Sequence, residues 1–183
     1  VLDGGSGVDM VSYTGTGPGI SLTETEAAFS VRLDFEQFDL LMDVERLTGT
    51  SASDTFSASE GSFRGLGGSD FFRAEGGGIG AYDGGAGNDN VSYGNVSSGI
   101  AASLFRGIGW QGDARGDSYT DIGTLTGTIV DDGLWGDRGD NGLAGLRGDD
   151  TLVGAAGDDT LNGGNGFDTA VFFGGVRSYD IDF

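Results

Sequence analysis

From Gly127 to Val171 the chain reads GTIVDDGLW, GDRGDNGLA, GLRGDDTLV, GAAGDDTLN and GGNGFDTAV, five blocks of nine residues with nothing inserted between them. Position one is always glycine (Gly127, Gly136, Gly145, Gly154, Gly163). Position six is Asp132, Asn141, Asp150, Asp159 and Asp168, and position eight is Leu134, Leu143, Leu152, Leu161 and Ala170. A fixed internal period marks a repeat architecture in which each unit is completed only by its neighbours. The first six residues of a block read as a turn in which glycine supplies backbone angles closed to other residues, and the last three as a short strand with one inward side chain. One apolar residue in nine makes no core alone. If successive turns fall on opposite sides, two blocks make one coil, and coils stacked at roughly 4.8 Å line the position-eight residues into a narrow continuous core. Leu134, Leu152 and Ala170 then belong to one sheet, and Leu143 and Leu161 to the other. The predicted fold is all-β, a parallel β-roll or right-handed β-solenoid. The same stacking brings position-six carboxylates together along each edge, where they repel unless a cation lies between them.

Composition agrees with that reading. Glycine supplies 39 of 183 residues, and the 29 acidic residues, all but six of them Asp, face nine Arg and no Lys for a formal charge of −20. Such a field makes nucleic acid a poor partner. With no His, Cys or Lys, the chain lacks the residues for a His-based triad, a thiol nucleophile, a conventional zinc site or a Schiff base. No apolar run is long enough to span a bilayer, so membrane insertion is not expected. A net charge this large on modest apolar content opposes collapse unless something outside the chain neutralises it.

The earlier chain carries the signature in looser form. GGSGVDMVS (4–12) and GGAGNDNVS (84–92) are full matches, with Asp9 and Asp89 at position six and Val11 and Val91 inward. GTSASDTFS (49–57) and GLGGSDFFR (65–73) keep Asp54 with Phe56 and Asp70 with Phe72. The stretches 58–64 and 74–83 break the period and lack its acid, so they are expected to turn without binding metal. A longer period lies above the nonapeptide: GGSGVDMVSY runs through GPGISL to DVERLTGT, and GGAGNDNVSY runs through SSGIAASL to DIGTLTGT. The chain therefore reads as two paralogous units, 1–83 with degenerate repeats and 84–183 with the regular run 127–171, forming one continuous solenoid. The segments 20–45 and 100–125 alternate apolar and polar residues and read as strands of wider inserted coils, with a short helix within 27–47 as the competing reading. Leu2 stands where the inward residue of a preceding block would stand, so the chain reads as a fragment of a larger protein; as a fragment it is expected to be a monomer.

The pattern GGxGxD followed two positions later by a large apolar residue resembles the calcium-binding nonapeptide of the RTX (repeats-in-toxin) family. That resemblance implies a parallel β-roll in which several calcium ions lie between turns on the same side, held by Asp carboxylates and by carbonyls of the Gly-rich loops, including the position-one glycines. All-oxygen coordination suits a hard cation. It implies sites at Asp132 with Asp150, Asn141 with Asp159, Asp150 with Asp168, Asp54 with Asp70, and Asp70 with Asp89, with Asp9 a further ligand. Asn141 departs from the rule and its site carries one formal charge fewer. The resemblance also implies an extracellular module, exported unfolded by bacterial type I secretion and folded where calcium is millimolar. A second function has the module bind an extracellular polysaccharide, as the similar repeat modules of alginate-modifying enzymes suggest.

Other features have weaker claims. RGD occurs at 115–117, 138–140 and 147–149 and invites an adhesion reading, but the last two fall inside the nonapeptide with Arg in a variable slot. Trp110, Trp135, Tyr13, Tyr82, Tyr93, Tyr119 and Tyr179 are candidates for stacking on sugar rings; Trp135 is the best of them, because its position points outward, whereas Tyr82 sits at an inward position. Paired carboxylates committed to metal leave no general acid, so no enzymatic activity is expected.

Overall fold

The computed structural model describes residues 1–14, 17–25, 28–32, 38–42 and 44–173. Two ten-stranded sheets face each other. The first runs, in spatial order, Leu2–Asp3, Phe38–Met42, Ala28–Arg32, Ser21–Thr25, Thr55–Ala58, Phe71–Ala74, Asn90–Ser92, Thr124–Thr126, Gly142–Arg147, Thr160–Asn165. The second runs Met10–Ser12, Arg46–Thr48, Gly61–Gly67, Gly80–Ala86, Ser118–Thr120, Ile108–Gln111, Ala101–Ser103, Gly133–Trp135, Thr151–Val153, Thr169–Ala170. Among the described residues the only helical element is a 3-10 turn at Gly112–Ala114. Both sheets continue across residue 83, since Phe72 pairs with Val91 and Tyr82 with Tyr119.

The nonapeptide run has the register its period demands. Leu125, Leu143 and Leu161 are successive parallel partners in the first sheet, and Leu134, Leu152 and Ala170 in the second. Leu125, Leu134, Leu143 and Leu152 are buried, Leu161 is half-buried and Ala170 is exposed. Each buried leucine contributes about 1.5–3 kcal/mol of hydrophobic stabilisation, and none has partners without the coil on either side. In the looser coils aromatic rings take the inward position. Phe56 stacks on Phe72 with centroids 5.1 Å apart, Phe63 on Tyr82 at 6.1 Å and Tyr82 on Tyr119 at 6.3 Å. The irregular stretches 58–64 and 74–83 therefore keep the coil closed although they break the sequence period: Phe63 and Tyr82 are still parallel partners.

The wider coils differ from expectation in strand direction. Ser21–Thr25, Ala28–Arg32 and Phe38–Met42 form an antiparallel meander, and so do Ala101–Ser103, Ile108–Gln111 and Ser118–Thr120. A short link cannot return a chain to a parallel partner, so consecutive strands in one sheet run antiparallel. Among the described residues of 27–47 there are the strands Ala28–Arg32 and Phe38–Met42 and the start of Arg46–Thr48, and no helix; residues 27, 33–37 and 43 of the segment expected as a competing helix lie outside the described residues. The two meanders lie in opposite sheets. The first follows Met10–Ser12 of the second sheet and the second follows Asn90–Ser92 of the first, because the single strands from Arg46–Thr48 to Asn90–Ser92 that separate them alternate between the sheets and are even in number.

Inside the second wide coil the core is partly polar. The buried Asp117 accepts hydrogen bonds from the Gly80 N–H at 2.7 Å and the Tyr93 hydroxyl at 2.5 Å, and the Tyr93 and Tyr119 hydroxyls are 2.6 Å apart. The acid of the first RGD triplet is thus an interior acceptor rather than an exposed ligand. Burial raises its pKa, with the Tyr93 hydrogen bond opposing.

Candidate metal centre

Each edge of the roll is a stack of turns, and the position-six side chains tie successive turns together. Asp70 Oδ1 accepts from the Asp54 N–H at 2.8 Å, Asp89 Oδ1 from Asp70 N–H at 2.7 Å, and Asp150 Oδ1 from Asp132 N–H at 2.8 Å. Asp159 Oδ1 accepts from Asn141 N–H and Asp168 Oδ1 from Asp150 N–H, both at 3.0 Å. Every pair expected from the sequence is therefore adjacent. Asp9 is tied instead to a non-repeat acid, its N–H donating to Glu45 Oε2 at 2.8 Å.

The second carboxylate oxygen is where a cation fits. Oδ2 of Asp9, Asp70, Asp89 and Asp150 is buried with no hydrogen-bond partner. Leaving a buried acceptor unsatisfied costs about 1–3 kcal/mol, and more when it is charged. A Cβ built on Gly145 would collide with Asp150 Oδ2 and lie 2.8 Å from the Gly163 carbonyl oxygen; one on Gly65 would collide with Asp70 Oδ2 and lie 2.8 Å from the Gly84 carbonyl oxygen. The orphaned oxygen of one turn thus faces the position-one carbonyl of the turn stacked on it. Gly127, Gly136, Gly154 and Gly163 are closed to a side chain in the same way, by Asp132, Asn141, Asp159 and Asp168. At position one glycine is required for space beside the acid rather than for its backbone angles, since none of these glycines has a positive φ. The left-handed residues stand at positions two and four, as in Leu146 (φ 79°) and Gly148 (φ 116°).

Among the described residues no three His, Cys, Asp or Glu side chains gather as a metal-binding group. The donor set is instead one carboxylate with backbone carbonyls, a hard, flexible oxygen shell of the kind calcium takes. The family model of the RTX calcium-binding nonapeptide repeat matches residues 135–170, in four copies. The run is an RTX calcium-binding repeat array. No match to the chain was found among curated proteins.

Not every RTX turn has an orphan. In the turn at 136–141, Asn141 Oδ1 accepts from the Asp137 N–H at 2.7 Å and Asn141 Nδ2 donates to Asp137 Oδ1 at 3.2 Å, so its side chain is satisfied by protein. Asp121 was not legible as part of the edge. Its carbonyl oxygen stands over Gly84 beside Asp89 Oδ2, the place a position-one carbonyl takes elsewhere, and its φ is 50°. The signal for it lies in the duplication of DVERLTGT as DIGTLTGT.

Position five forms a second, outer ladder in the opposite sense. Asp131 Oδ1 accepts from Asp149 N–H, Asp140 Oδ1 from Asp158 N–H and Asp149 Oδ1 from Phe167 N–H, each at 2.8 Å. The acids of the last two RGD triplets, Asp140 and Asp149, are held in this ladder. On the outer face Trp135 folds over Gly133 and meets Trp110 with centroids 5.1 Å apart at 42°. Tyr82, Tyr93 and Tyr119 are buried, Tyr13 packs against the core, and Tyr179 lies outside the described residues.

Burial, helped by neighbouring acids, pushes Asp70 up to about 7 and Asp150 up to about 6. Burial raises Asp89 as well, with Asp121 and Asp83 adding to it. The metal-free roll therefore holds protons that the unfolded chain has released. The stability they lend is complete below the ordinary value of 3.8 and is lost as pH rises through about 6 for Asp150 and about 7 for Asp70. In chelator, lowering the pH from 8 to 5 should thus recover part of the strand signal in far-UV circular dichroism. A flat response over that interval would show that these acids carry no burial penalty.

Proposed function

We propose that the chain is the calcium-binding β-roll of a secreted bacterial protein, exported unfolded by a type I route and folded by calcium outside the cell. The orphaned Oδ2 atoms of Asp70, Asp89 and Asp150 carry this reading, since they combine a buried charge with carbonyl neighbours and no protein donor. The chain's residues supply and orient the oxygens; the ion, when bound, supplies the positive charge. Binding free energy then becomes folding free energy, and a chain of net charge −20 stays expanded where calcium is scarce. The outer face does not favour the polysaccharide reading, because Trp110 and Trp135 are tilted against each other and form no flat platform.

Isothermal titration tests both the ion and the compartment. Several calcium ions are expected to bind with half-saturation at about 10⁻⁴–10⁻³ M, the range of extracellular modules, while magnesium, which demands tight octahedral geometry, competes poorly. Half-saturation at or below cytosolic calcium levels would overturn the export reading, and no binding would overturn the calcium reading. The same protein is expected to show no turnover of polysaccharide, peptide or ester, and product formation abolished by a substitution within the chain would reverse that.

A further inference from the structure

The acids of the two LTGT turns are bonded unlike those that follow them. Asp132 Oδ1 accepts from the Ile100 N–H at 2.7 Å and the Thr128 hydroxyl at 3.2 Å, and Asp132 Oδ2 from the Thr128 N–H at 2.6 Å. Asp54 repeats this atom for atom, with Ile20 N–H at 2.6 Å and Thr50 hydroxyl at 3.1 Å on Oδ1, and Thr50 N–H at 2.7 Å on Oδ2. Neither acid has an orphaned oxygen, whereas Asp70 and Asp150, one rung further along the same edges, each have one. Three protein donors leave neither oxygen of such a carboxylate short of a hydrogen-bond partner, so no cation is needed to satisfy it.

The backbone differs as well. No residue of 49–54 or 127–132 has a positive φ, whereas 65–70 contains Leu66 and Gly68, and 145–150 contains Leu146 and Gly148, in the left-handed region. The threonine hydroxyl replaces that geometry by accepting the N–H two residues on, Ala52 at 3.0 Å and Val130 at 3.2 Å. Both acids also reach back across a wide coil, since Ile20 and Ile100 lie 34 and 32 residues before them. Gly19 and Gly99 permit the approach, because a Cβ there would collide with the carbonyls of Ser53 and Asp131. Each acid therefore bolts the start of a wide coil to its end. The second wide coil has its own interior in Tyr93, Ile100, Ala114, Asp117 and Tyr119, none of which depends on an edge cation.

We propose that Asp54 and Asp132 take no calcium: each closes a wide coil with protein donors alone, that coil stays folded in the metal-free chain, and the calcium-dependent rungs build on it. This rests on the calcium reading of the later turns. In a β-roll, where each coil needs a neighbour, such closures are fixed ends from which the array can grow.

Residue-resolved amide exchange of the whole chain, in chelator and in millimolar calcium, is the test. In chelator the amides of Ile100 and Thr128 should stay protected by at least about tenfold over the unfolded rate, while that of Asp150, which donates to Asp168, exchanges freely. Loss of protection at Ile100 and Thr128 together with Asp150 would overturn the proposal. Asp132→Asn should bind as many ions as the wild type but lose Ile100 protection in chelator. Asp150→Asn should lose an ion and keep it. An ion lost from Asp132→Asn in a chain that still folds in calcium would also overturn the proposal; if the variant does not fold, the wild-type exchange pattern decides. A wild type that binds no calcium would refute the underlying calcium reading and the proposal with it, a result readily told apart from the others.

Discussion

Chelation of calcium is expected to remove a large part of the chain's far-UV strand signal, and millimolar calcium to restore it cooperatively. The coils that should melt carry Asp70 and Asp89 between the wide coils, and Asp150, Asp159 and Asp168 beyond them. There the core is one side chain wide, and Leu161 is only half-buried even in the folded roll. Each buried unpartnered carboxylate oxygen costs about 1–3 kcal/mol, comparable to what a buried leucine returns, so the metal-free rungs have no margin. An ion at 100 times its Kd adds about 2.7 kcal/mol per site, which reverses the sign. Magnesium should not substitute. Sodium chloride near 1 M shortens the Debye length to about 3 Å and weakens repulsion between turns, but gives no partner to Oδ2, so it should restore little. An unchanged spectrum after thorough chelation would mean that the acidic edges are tolerated without metal.

The coil geometry could be read from residues because two constraints coincide in a nonapeptide: the turn residues fix its length, and a single apolar position fixes which way it faces. Hence Leu134 falls on Leu152, and Asp132 next to Asp150. The same reasoning failed where hydrogen bonds come from far along the chain. Asp54 and Asp132 look like any other position-six acid, and it takes the Ile20 and Ile100 N–H groups, carried to them by a wide coil, together with the local Thr50 and Thr128 donors, to show that they are satisfied. Alternation in 20–45 and 100–125 identified strands but not direction, since alternation is common to parallel and antiparallel pairs. Asp117 reads as an exposed RGD acid until two tyrosines are folded around it. Special backbone angles account for glycine at positions two and four but not at position one, whose φ is ordinary and whose constraint is a carboxylate that only the folded turn puts there.

Asp150→Ala is expected to remove one calcium ion and raise the calcium midpoint for folding, whereas Asp149→Ala should keep the ion count. The period alone would give Asp150 a share in two sites, one with Asp132 and one with Asp168. Its two oxygens divide the work differently. Oδ1 is spent on the Asp132 N–H, and Oδ2 alone is free, facing the Gly163 carbonyl of the next turn. One site is therefore lost, together with the clamp that holds its turn to the one before. The expected loss is the linkage contribution of a single ion, about 2.7 kcal/mol at 100 times Kd, plus about 1 kcal/mol for the hydrogen bond. Asp149 is not the inert neighbour that position five suggests, since its carboxylate accepts from the Phe167 N–H, while its backbone N–H, which alanine keeps, donates to Asp131. The one bond lost is exposed, so the alanine variant should lose no more than about 1 kcal/mol and no ion. Titration calorimetry of both variants beside the wild type decides the matter: equal losses would mean that the acids act as a diffuse charge cloud, and assignment of the ion to the Asp150 Oδ2 and Gly163 carbonyl would be wrong.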